Sequence, residues 1–146
     1  MDERGDVVEL RSSPLDVAAA VAAVGDADGG AIAMFLGATR QETREDGRKL
    51  LGLEYEAYCE MAEAQMRRLA EEARRRWPIC RLVMLHRIGR VEVGQPSVLI
   101  AVSTPHRAQG FEACRFLIDQ LKSEATIWKK EIWGDGSSTW VGMVRD

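Results

Sequence analysis

The chain has 146 residues, of which 46% are hydrophobic and 29% are charged, and its net charge at pH 7 is −3. This length predicts a single domain, residues 1–146, whose core is large enough to fold without disulfides or a structural metal. The acidic balance argues against broad nucleic-acid binding, and no apolar run approaches the roughly 20 residues that span a bilayer, so we expect neither nucleic acid nor membrane as a partner.

The first residues and the cysteines both favour a cytoplasmic protein. The sequence begins MDERGDVVEL, which is charged and lacks the apolar segment of a secretion signal. Cys59, Cys80 and Cys114 are widely spaced, contain no C-x-x-C pair, and suggest neither a disulfide framework nor a thiolate zinc site. We interpret them as buried free thiols in a reducing compartment. Two histidines are too few for an all-histidine centre, and we expect no metal and no cofactor.

The first part of the chain alternates between strand and helix patterns. After a short strand, Ser12-Ser13-Pro14 predicts the start of an alanine-rich helix that runs to Val24, with serine as N-cap and proline at the first helical position. The apolar residues 31–36 predict a buried strand. The polar residues 41–50 then predict a mobile surface loop. Arg40 lies where this strand and loop meet, and it is either a solvated arginine or a binding residue.

The middle of the chain predicts a strand, a long helix and two further strands. Residues 51–58 alternate as in a strand with one wet face, and the following helix, residues 60–77, has its methionines and alanines on one stripe. Its last arginines, residues 74–76, are interpreted as a solvated helix end that complements the dipole. Residues 81–88 predict a strand that continues into a turn. His86 is either a half-buried sheet residue or a ligand, and without a second metal-type partner we favour the first. The clearest core strand is the apolar run SVLIAVS that follows.

Most of the chemistry lies in residues 103–131. Thr104-Pro105 predicts a helix start, which places His106 and Arg107 in the first helical turn. Free backbone N–H groups and the positive end of the helix dipole favour an anion there, and both side chains add donors. An exposed helix start that binds nothing accounts for the same residues, and the pattern alone leaves both interpretations open.

The end of this helix and the next strand both carry lysines. Lys122 lies beside the apolar stripe of the helix, where it either snorkels to solvent or is held in a partly dry pocket. In the strand IWKKEIW, Lys129 and Glu131 share one face and Lys130 the other. A short loop joins the two elements, so Lys122 and Lys129 can converge. Two close cations lower each other's pKa, which makes one a usable nucleophile or acid–base group. The stripe itself consists of Phe111, Cys114, Ile118 and Leu121.

The length of this helix limits what one chain can do. Arg107 and Lys122 are fifteen residues apart on it, which is about 22 Å along the axis. They cannot both contact one small ligand within a single chain. Either the chain has two sites, or a second copy completes one site, as a two-fold dimer would do twice.

In chain order the elements read β-α-β-β-α-β-β-α-β, and two of the helices have about five turns. Strands outnumber helices. This pattern favours an α+β fold, in which a mixed or antiparallel sheet is covered on one face by packed helices, over a doubly wound parallel sheet.

Five sequence blocks occur in a distinctive order and spacing. They are residues 34–40 (MFLGATR), 53–58 (LEYEAY), 85–89 (LHRIG), 104–107 (TPHR) and 127–131 (IWKKE). Together they resemble the MoaE family, the large (catalytic) subunits of molybdopterin synthase, over about residues 30–142. The resemblance implies one MoaE-like catalytic domain with an α/β-hammerhead-like fold.

The resemblance also implies an enzyme, a sulfurtransferase of molybdenum cofactor biosynthesis. Members of the family convert cyclic pyranopterin monophosphate to molybdopterin by installing two sulfurs as a dithiolene. The sulfur comes from the thiocarboxylated C-terminal Gly-Gly tail of a small ubiquitin-like subunit, the MoaD-like sulfur carrier. The complex is a heterotetramer built on a homodimer of the large subunit, with the site near the dimer interface. A catalytic cysteine is then not needed, because the sulfur arrives on the partner.

Site roles are carried over from the family by position. Lys122 is implied to be the main catalytic lysine, near the incoming thiocarboxylate, with Lys129 assisting. His106 and Arg107 are implied to bind the phosphate or the pterin in trans. The implied substrate-binding residues are Ala38, Thr39, Arg40, His106, Arg107, Lys122, Lys129, Lys130 and Glu131, and the implied apolar wall of the pocket is Phe35 and Ile118.

Three positions depart from the family pattern. Thr39 stands before the arginine where the family more often has valine, and Thr126 replaces a usual proline. A family arginine expected near the end has only Arg145 as a candidate. From the residues without the resemblance, two alternatives are a non-catalytic module that binds a phosphorylated ligand and a structural partner-binding subunit.

Overall fold

The computed structural model describes residue 2 and residues 4–143, with side chains as far as residue 141. Arg145 therefore lies outside the described residues. Within this range the chain forms eight strands and three helices. In chain order they are β1 (Val7–Arg11), α1 (Val17–Ala23), β2 (Ala31–Ala38), β3 (Leu50–Ala57), α2 (Cys59–Arg76), β4 (Arg81–Arg87), β5 (Gly89–Glu92), β6 (Pro96–Thr104), α3 (Arg107–Glu124), β7 (Ile127–Trp133) and β8 (Ser138–Met143).

The strands form two four-stranded sheets. The first has the order β1-β4-β6-β2, in which β1 and β4 are parallel and the other pairs antiparallel. The second has the order β5-β3-β7-β8 and is antiparallel throughout. The predicted α+β class with mixed and antiparallel pairing is confirmed. The prediction of one sheet is wrong, because the strands divide between two.

The division occurs next to Gly89. The sequence predicted that the strand at residues 81–88 runs on into a turn, but β4 ends at Arg87 and β5 pairs with β3 in the second sheet. Gly89 has a φ of 85°, a left-handed conformation that non-glycine residues rarely adopt. The chain therefore turns sharply there and changes sheet. Strand β8 was not predicted, and its sequence, STWVGM, has a weak apolar pattern.

Helices cover the first sheet on both faces rather than on one. Val83, Leu85, Leu99 and Ala101 pack with α1 in one apolar cluster. The alternate residues of β4 and β6 face α2, α3 and the buried side of the second sheet, which together form the main core. A strand buried on both faces has no polar side, and this explains the continuous apolar run of β6.

Both predicted helix starts are displaced towards the C-terminus. The N-cap of α1 is Asp16, whose carboxylate accepts from the Ala19 N–H at 3.0 Å, so the helix begins after Ser13 and Pro14. Helix α3 has His106 as its N-cap and begins at Arg107, because Thr104 is still the last residue of β6 and pairs with Ala31. Aspartate is as strong a cap as serine, and strand pairing keeps Thr104 from capping the helix.

Arg74 is not part of a solvated helix end, as had been predicted. Its guanidinium makes two bonds to the Asp6 carboxylate, at 2.6 and 2.7 Å, and donates to the carbonyl oxygens of Ile79 and Cys80. The Asp6 and Arg74 side chains are only 1% and 13% exposed. This pair ties the start of β1 to the end of α2. Arg75 and Arg76 fit the prediction better, since both are exposed and pair with a glutamate one turn earlier.

The buried face of α3 differs from the predicted one. Phe111 is 65% exposed, and the buried residues are Gly110, Ala113, Cys114, Leu117 and Leu121. A Cβ added at Gly110 would lie 3.0 Å from Thr104 Oγ1 and 3.3 Å from Ala33 Cβ. This close approach of helix and sheet turns the Gly110 side of the helix inward and Phe111 outward.

Only one of the three cysteines is buried. Cys114 is buried, Cys80 is half-buried and Cys59 is exposed, and all three are free thiols. The prediction of buried thiols is therefore wrong for Cys59, which lies at the first residue of α2. No helix of the described part of the chain is long and apolar enough to cross a membrane.

Candidate functional site

An open cleft of about 400 Å³ lies where the end of β2, the first residues of β3, the last turn of α3 and β7 meet. This volume is within the range of small-molecule sites. Six residues predicted to bind substrate line it: Ala38, Thr39, Arg40, Lys122, Lys129 and Glu131. The other lining residues are Gly37, Glu42, Leu50, Leu53, Tyr55 and Ser97.

The end of β2 is shaped by Gly37. A Cβ at this position would lie 2.6 Å from Val98 Cγ1 and 3.0 Å from the Phe35 ring, so only glycine lets β2 lie this close to β6. The pairing of β2 with β6 shifts between Gly37 and Ala38, which marks a bulge. Bulges re-aim the residues that follow them, and here the strand is redirected into the cleft wall.

Thr39 is fixed in that wall by its backbone. Its N–H donates to the Gln95 carbonyl oxygen at 3.1 Å, and its own carbonyl oxygen accepts from the Gly94 N–H at 2.8 Å. The residue is only 5% exposed, and within the described residues its Oγ1 has no hydrogen-bond partner. A buried hydroxyl without a partner costs free energy.

Lys122 and Lys129 reach the cleft from either side of a short connection. Lys122 is in the last turn of α3, and Lys129 is the third residue of β7. Gln65 of α2 holds the connection, since its Oε1 accepts from both the N–H and the hydroxyl of Thr126 at 2.9 Å. Thr126, which stands where the family usually has proline, is thus anchored by hydrogen bonds.

The polar segment 41–50, predicted to be a mobile loop, forms a tight hairpin against β7. Arg44 and Arg48 are hydrogen-bonded through their backbones at 2.8 Å. Their guanidinium groups lie 4.7 and 5.3 Å from the ring centre of Trp133, which is fully buried. Arg44 also forms an ion pair of 3.2 Å with Glu131. The packing of these arginines on Trp133 was not predicted from the sequence, because a contact between two separate segments leaves no local pattern.

Lys130 lies on the opposite face of β7 from the cleft. Its ammonium is 3.4 Å from Glu54 and 5.1 Å from the centre of the Trp140 ring. Phe35 is half-buried against the core, and neither it nor Lys130 is among the residues that line the cleft. The structure thus does not bring these two predicted site residues to the others.

His106 and Arg107 lie at the far end of α3 from Lys122, and both are exposed. The pairing of β2 with β6 shows the same separation of His106 and Arg107 from the cleft. Ala31 pairs with Thr104, just before His106, whereas Ala38 pairs with Pro96 at the cleft end. A single chain therefore holds the two groups of predicted residues apart, as the helix length requires.

A second, smaller cavity lies beneath Lys122. It is lined by His86, Val98, Ile118, Leu121, Lys122, Ala125 and Ile127. Ile118, predicted as a pocket wall, belongs to this cavity. His86 was predicted to be half-buried but is 5% exposed. Burial, with a smaller effect of the Lys122 charge, lowers the pKa of His86 to about 4, although its hydrogen bond to the Arg87 carbonyl oxygen acts in the other direction.

Sequence reasoning also missed Tyr55 and Ser97 as cleft residues. Tyr55 lies within the block LEYEAY, which alternates strictly, so its inward face was available as a signal. Ser97 is buried at the start of β6 and gave no signal. In the described part of the chain, no cluster of histidine, cysteine and carboxylate side chains is arranged to hold a metal ion.

Comparisons with known proteins agree on one family. The family model described as MoaE protein matches residues 10–124. The molybdopterin synthase catalytic subunit of Nostoc sp. is 45% identical over 139 residues, which cover 94% of this chain and 83% of that protein. The crystal structure of molybdopterin synthase from Staphylococcus aureus has a TM-score of 0.86 and 34% identity, covering 97% of this chain and 99% of that one.

A more distant neighbour shares the fold. It belongs to the complex of subunits 1 and 2 of molybdopterin-converting factor from Helicobacter pylori, with a TM-score of 0.76 and 22% identity, and it covers 91% of this chain and 88% of that one.

Proposed function

The chain belongs to the MoaE family, and on this premise we propose that it is the catalytic subunit of a molybdopterin synthase. In this function it passes sulfur from the C-terminal thiocarboxylate of a small ubiquitin-like subunit to cyclic pyranopterin monophosphate. Two such transfers form the molybdopterin dithiolene. The observation that carries the proposal is the single cleft lined by Arg40, Lys122 and Lys129, with the buried Thr39 in its wall.

The charge of the cleft suits both reactants. The substrate carries a phosphate and the sulfur donor is a thiocarboxylate, so each brings negative charge to the same place. Three cationic side chains at the cleft attract both anions and reduce the repulsion between them. Lys122 and Lys129 are also the groups that can hold or release a proton as sulfur leaves the acyl carbon. Among the described residues no cysteine lines the cleft, and the reaction needs none because the donor brings the sulfur.

We place His106 and Arg107 at the cleft of a second copy. Strand β2 is at one edge of the first sheet, and its outward side chains Ile32, Met34 and Leu36 are 46%, 42% and 41% exposed. An exposed apolar edge of this kind is a site for pairing with another chain.

A two-fold axis at β2 would complete both sites. Antiparallel pairing of two β2 strands sets the Ala31 end of one strand beside the Ala38 end of the other. Ala31 is the residue that pairs with Thr104, just before His106 and Arg107. Eight extended residues span about 25 Å, which is close to the roughly 22 Å between Arg107 and Lys122. The partner's phosphate-binding groups would therefore arrive at this chain's Arg40.

With one small subunit for each large one, the assembly is a heterotetramer. The fold is compatible with such a partner, since the protein of this fold from Helicobacter pylori is in a complex of two subunits. The free thiols are consistent with the cytoplasm as the place of action.

The test is reconstitution with purified components. The chain is mixed with a thiocarboxylated, Gly-Gly-tailed ubiquitin-like subunit and cyclic pyranopterin monophosphate, and molybdopterin is measured after oxidation to a fluorescent derivative. We expect product with the thiocarboxylate and none with the same subunit ending in a carboxylate. The Lys122→Ala variant should bind the small subunit but form no product. Full activity of that variant would refute the role of Lys122, and binding of both reactants without product would favour a non-catalytic module.

A further inference from the structure

Lys122 is shared by two cavities of different character. On one side it faces the open cleft with Arg40, Lys129 and Glu131, and on the other it lines the smaller cavity with His86. The remaining residues of the smaller cavity are apolar: Val98, Ile118, Leu121, Ala125 and Ile127. Apart from Lys122, His86 is thus the polar side chain that lines the smaller cavity.

The orientation of the His86 ring is fixed from two directions. Its Nδ1 lies 2.8 Å from the Arg87 carbonyl oxygen. A carbonyl oxygen only accepts, so Nδ1 carries the proton and Nε2 keeps its lone pair. The Tyr55 ring packs edge-on against the imidazole, with the centroids 5.0 Å apart, and Tyr55 is itself buried. These two contacts orient the ring.

His86 is uncharged when the protein functions near neutral pH. Burial removes the water that would stabilise an imidazolium, and the nearby Lys122 charge adds to that effect, so the pKa of His86 falls to about 4. The ionisable groups around Lys122 are therefore this neutral ring on β4, Tyr55 on β3, Lys129 and Glu131 on β7, and Arg40 and Glu42 after β2.

We propose that His86 is a positioning residue for Lys122: its neutral ring closes the inner cavity to water and keeps the lysine amine in a partly dry setting at the edge of the cleft. A dry setting disfavours the ammonium form. It therefore increases the fraction of amine that can exchange a proton during sulfur transfer. This role rests on the function proposed for Lys122.

A matched pair of variants tests the proposal. His86→Asn and His86→Asp have nearly the same size and differ in charge, and a carboxylate beside an ammonium ionises and stabilises it. The readout is the rate at which acetic anhydride labels Lys122 as a function of pH, measured by peptide mass spectrometry. Lys49 serves as an internal control, because it lines neither cavity.

We expect the midpoint of the Lys122 labelling profile to lie at least about one pH unit higher in His86→Asp than in His86→Asn, a tenfold change in the equilibrium. The Lys49 midpoint should be the same in both. Equal Lys122 midpoints in the two folded variants would overturn the proposal. If His86→Asp does not fold, His86→Asn is compared with the unmodified chain. The smaller side chain admits water and should raise the Lys122 midpoint, and an unchanged midpoint would overturn the proposal equally.

Labelling of Lys122 needs neither the sulfur donor nor the substrate, so the two proposals can fail separately. If the Lys122 profiles differ between the His86 variants but the unmodified chain forms no molybdopterin, the proposed function is contradicted and the effect of His86 on Lys122 stands. Normal product formation with unshifted profiles would contradict the positioning role alone.

Discussion

Two impaired variants should regain activity when they are combined in one dimer. If each cleft uses its own Lys122 and the other copy's Arg107, a heterodimer of Lys122→Ala and Arg107→Ala contains one doubly damaged site and one intact site. Both homodimers contain two damaged sites. The heterodimer should therefore have about half the activity of the unmodified dimer.

The size of the single losses follows from the contacts removed. Lys122→Ala removes the main cation at the cleft and should leave no measurable product. Arg107→Ala removes a charge-assisted bond to phosphate, which contributes about 1.5–3 kcal/mol, or a loss of roughly 10- to 150-fold in kcat/KM. Half of full activity is thus well above what either homodimer can supply.

The assay uses two affinity tags. The variants are co-expressed with different tags, the heterodimer is isolated by two successive purifications, and molybdopterin formation is measured with a thiocarboxylated small subunit. Size-exclusion chromatography confirms that each form is a dimer. A heterodimer as inactive as the two homodimers would refute the trans arrangement, because it is the result expected when both residues serve the same chain's site.

Three further predictions concern single positions. Thr39→Val removes the unpartnered hydroxyl, so stability to urea should be unchanged or higher while KM for the pterin substrate rises several-fold, and Thr39→Ser should keep KM near normal. Asp6→Asn leaves the buried Arg74 charge uncompensated and should lower the free energy of unfolding by about 3–5 kcal/mol in urea titration. Because the folded-state pKa of His86, about 4, is below its unfolded value of about 6.5, the unfolded chain binds more protons between these values. Stability should therefore fall by up to about 3 kcal/mol as pH drops from 6.5 to 4, and His86→Phe should lack this slope.

Local sequence patterns predicted most of the elements but not how they assemble. The run SVLIAVS is recognisable because a strand buried on both faces is apolar throughout, and α2 is recognisable because burial of one helix face gives a stripe of period 3.6. Sheet membership depends instead on partners far along the chain. No sequence pattern near Gly89 indicates that β5 pairs with β3 rather than continuing β4. One sheet was therefore predicted where the structure has two.

The errors at helix ends and faces have a similar cause. Thr104-Pro105 has the composition of a helix start, but Thr104 pairs with Ala31 as the last residue of β6. Phe111 is an apolar residue suited to a core, but the close contact at Gly110 turns it outward. In both places a tertiary contact overrides a local preference. Burial of Arg74 could not be anticipated either, because its partner Asp6 lies 68 positions earlier in the chain, just before β1.

Most of the residues expected at the site lie together in the structure. Arg40, Lys122 and Lys129, which the family resemblance implied for the site, all line one cleft, and their roles there stay predictions. Two supporting contacts were not visible, namely the neutral His86 beneath Lys122 and the pairing of Arg44 with Glu131. Both join segments that are far apart in the chain, and neither residue type is unusual at its position.

The arrangement of charge on β7 explains how a chain with a net charge of −3 can offer a site for two anions. Strand alternation sends Lys130 to the outer face, where it pairs with Glu54. The same alternation sends Lys129 and Glu131 to the cleft, which alone would bring a negative charge beside the lysines. The 41–50 hairpin counters this, because Arg44 binds the Glu131 carboxylate from outside the cleft. Glu131 is thereby paired with Arg44, whose guanidinium packs over the Trp133 ring. The net charge of the cleft stays positive where phosphate and thiocarboxylate would meet.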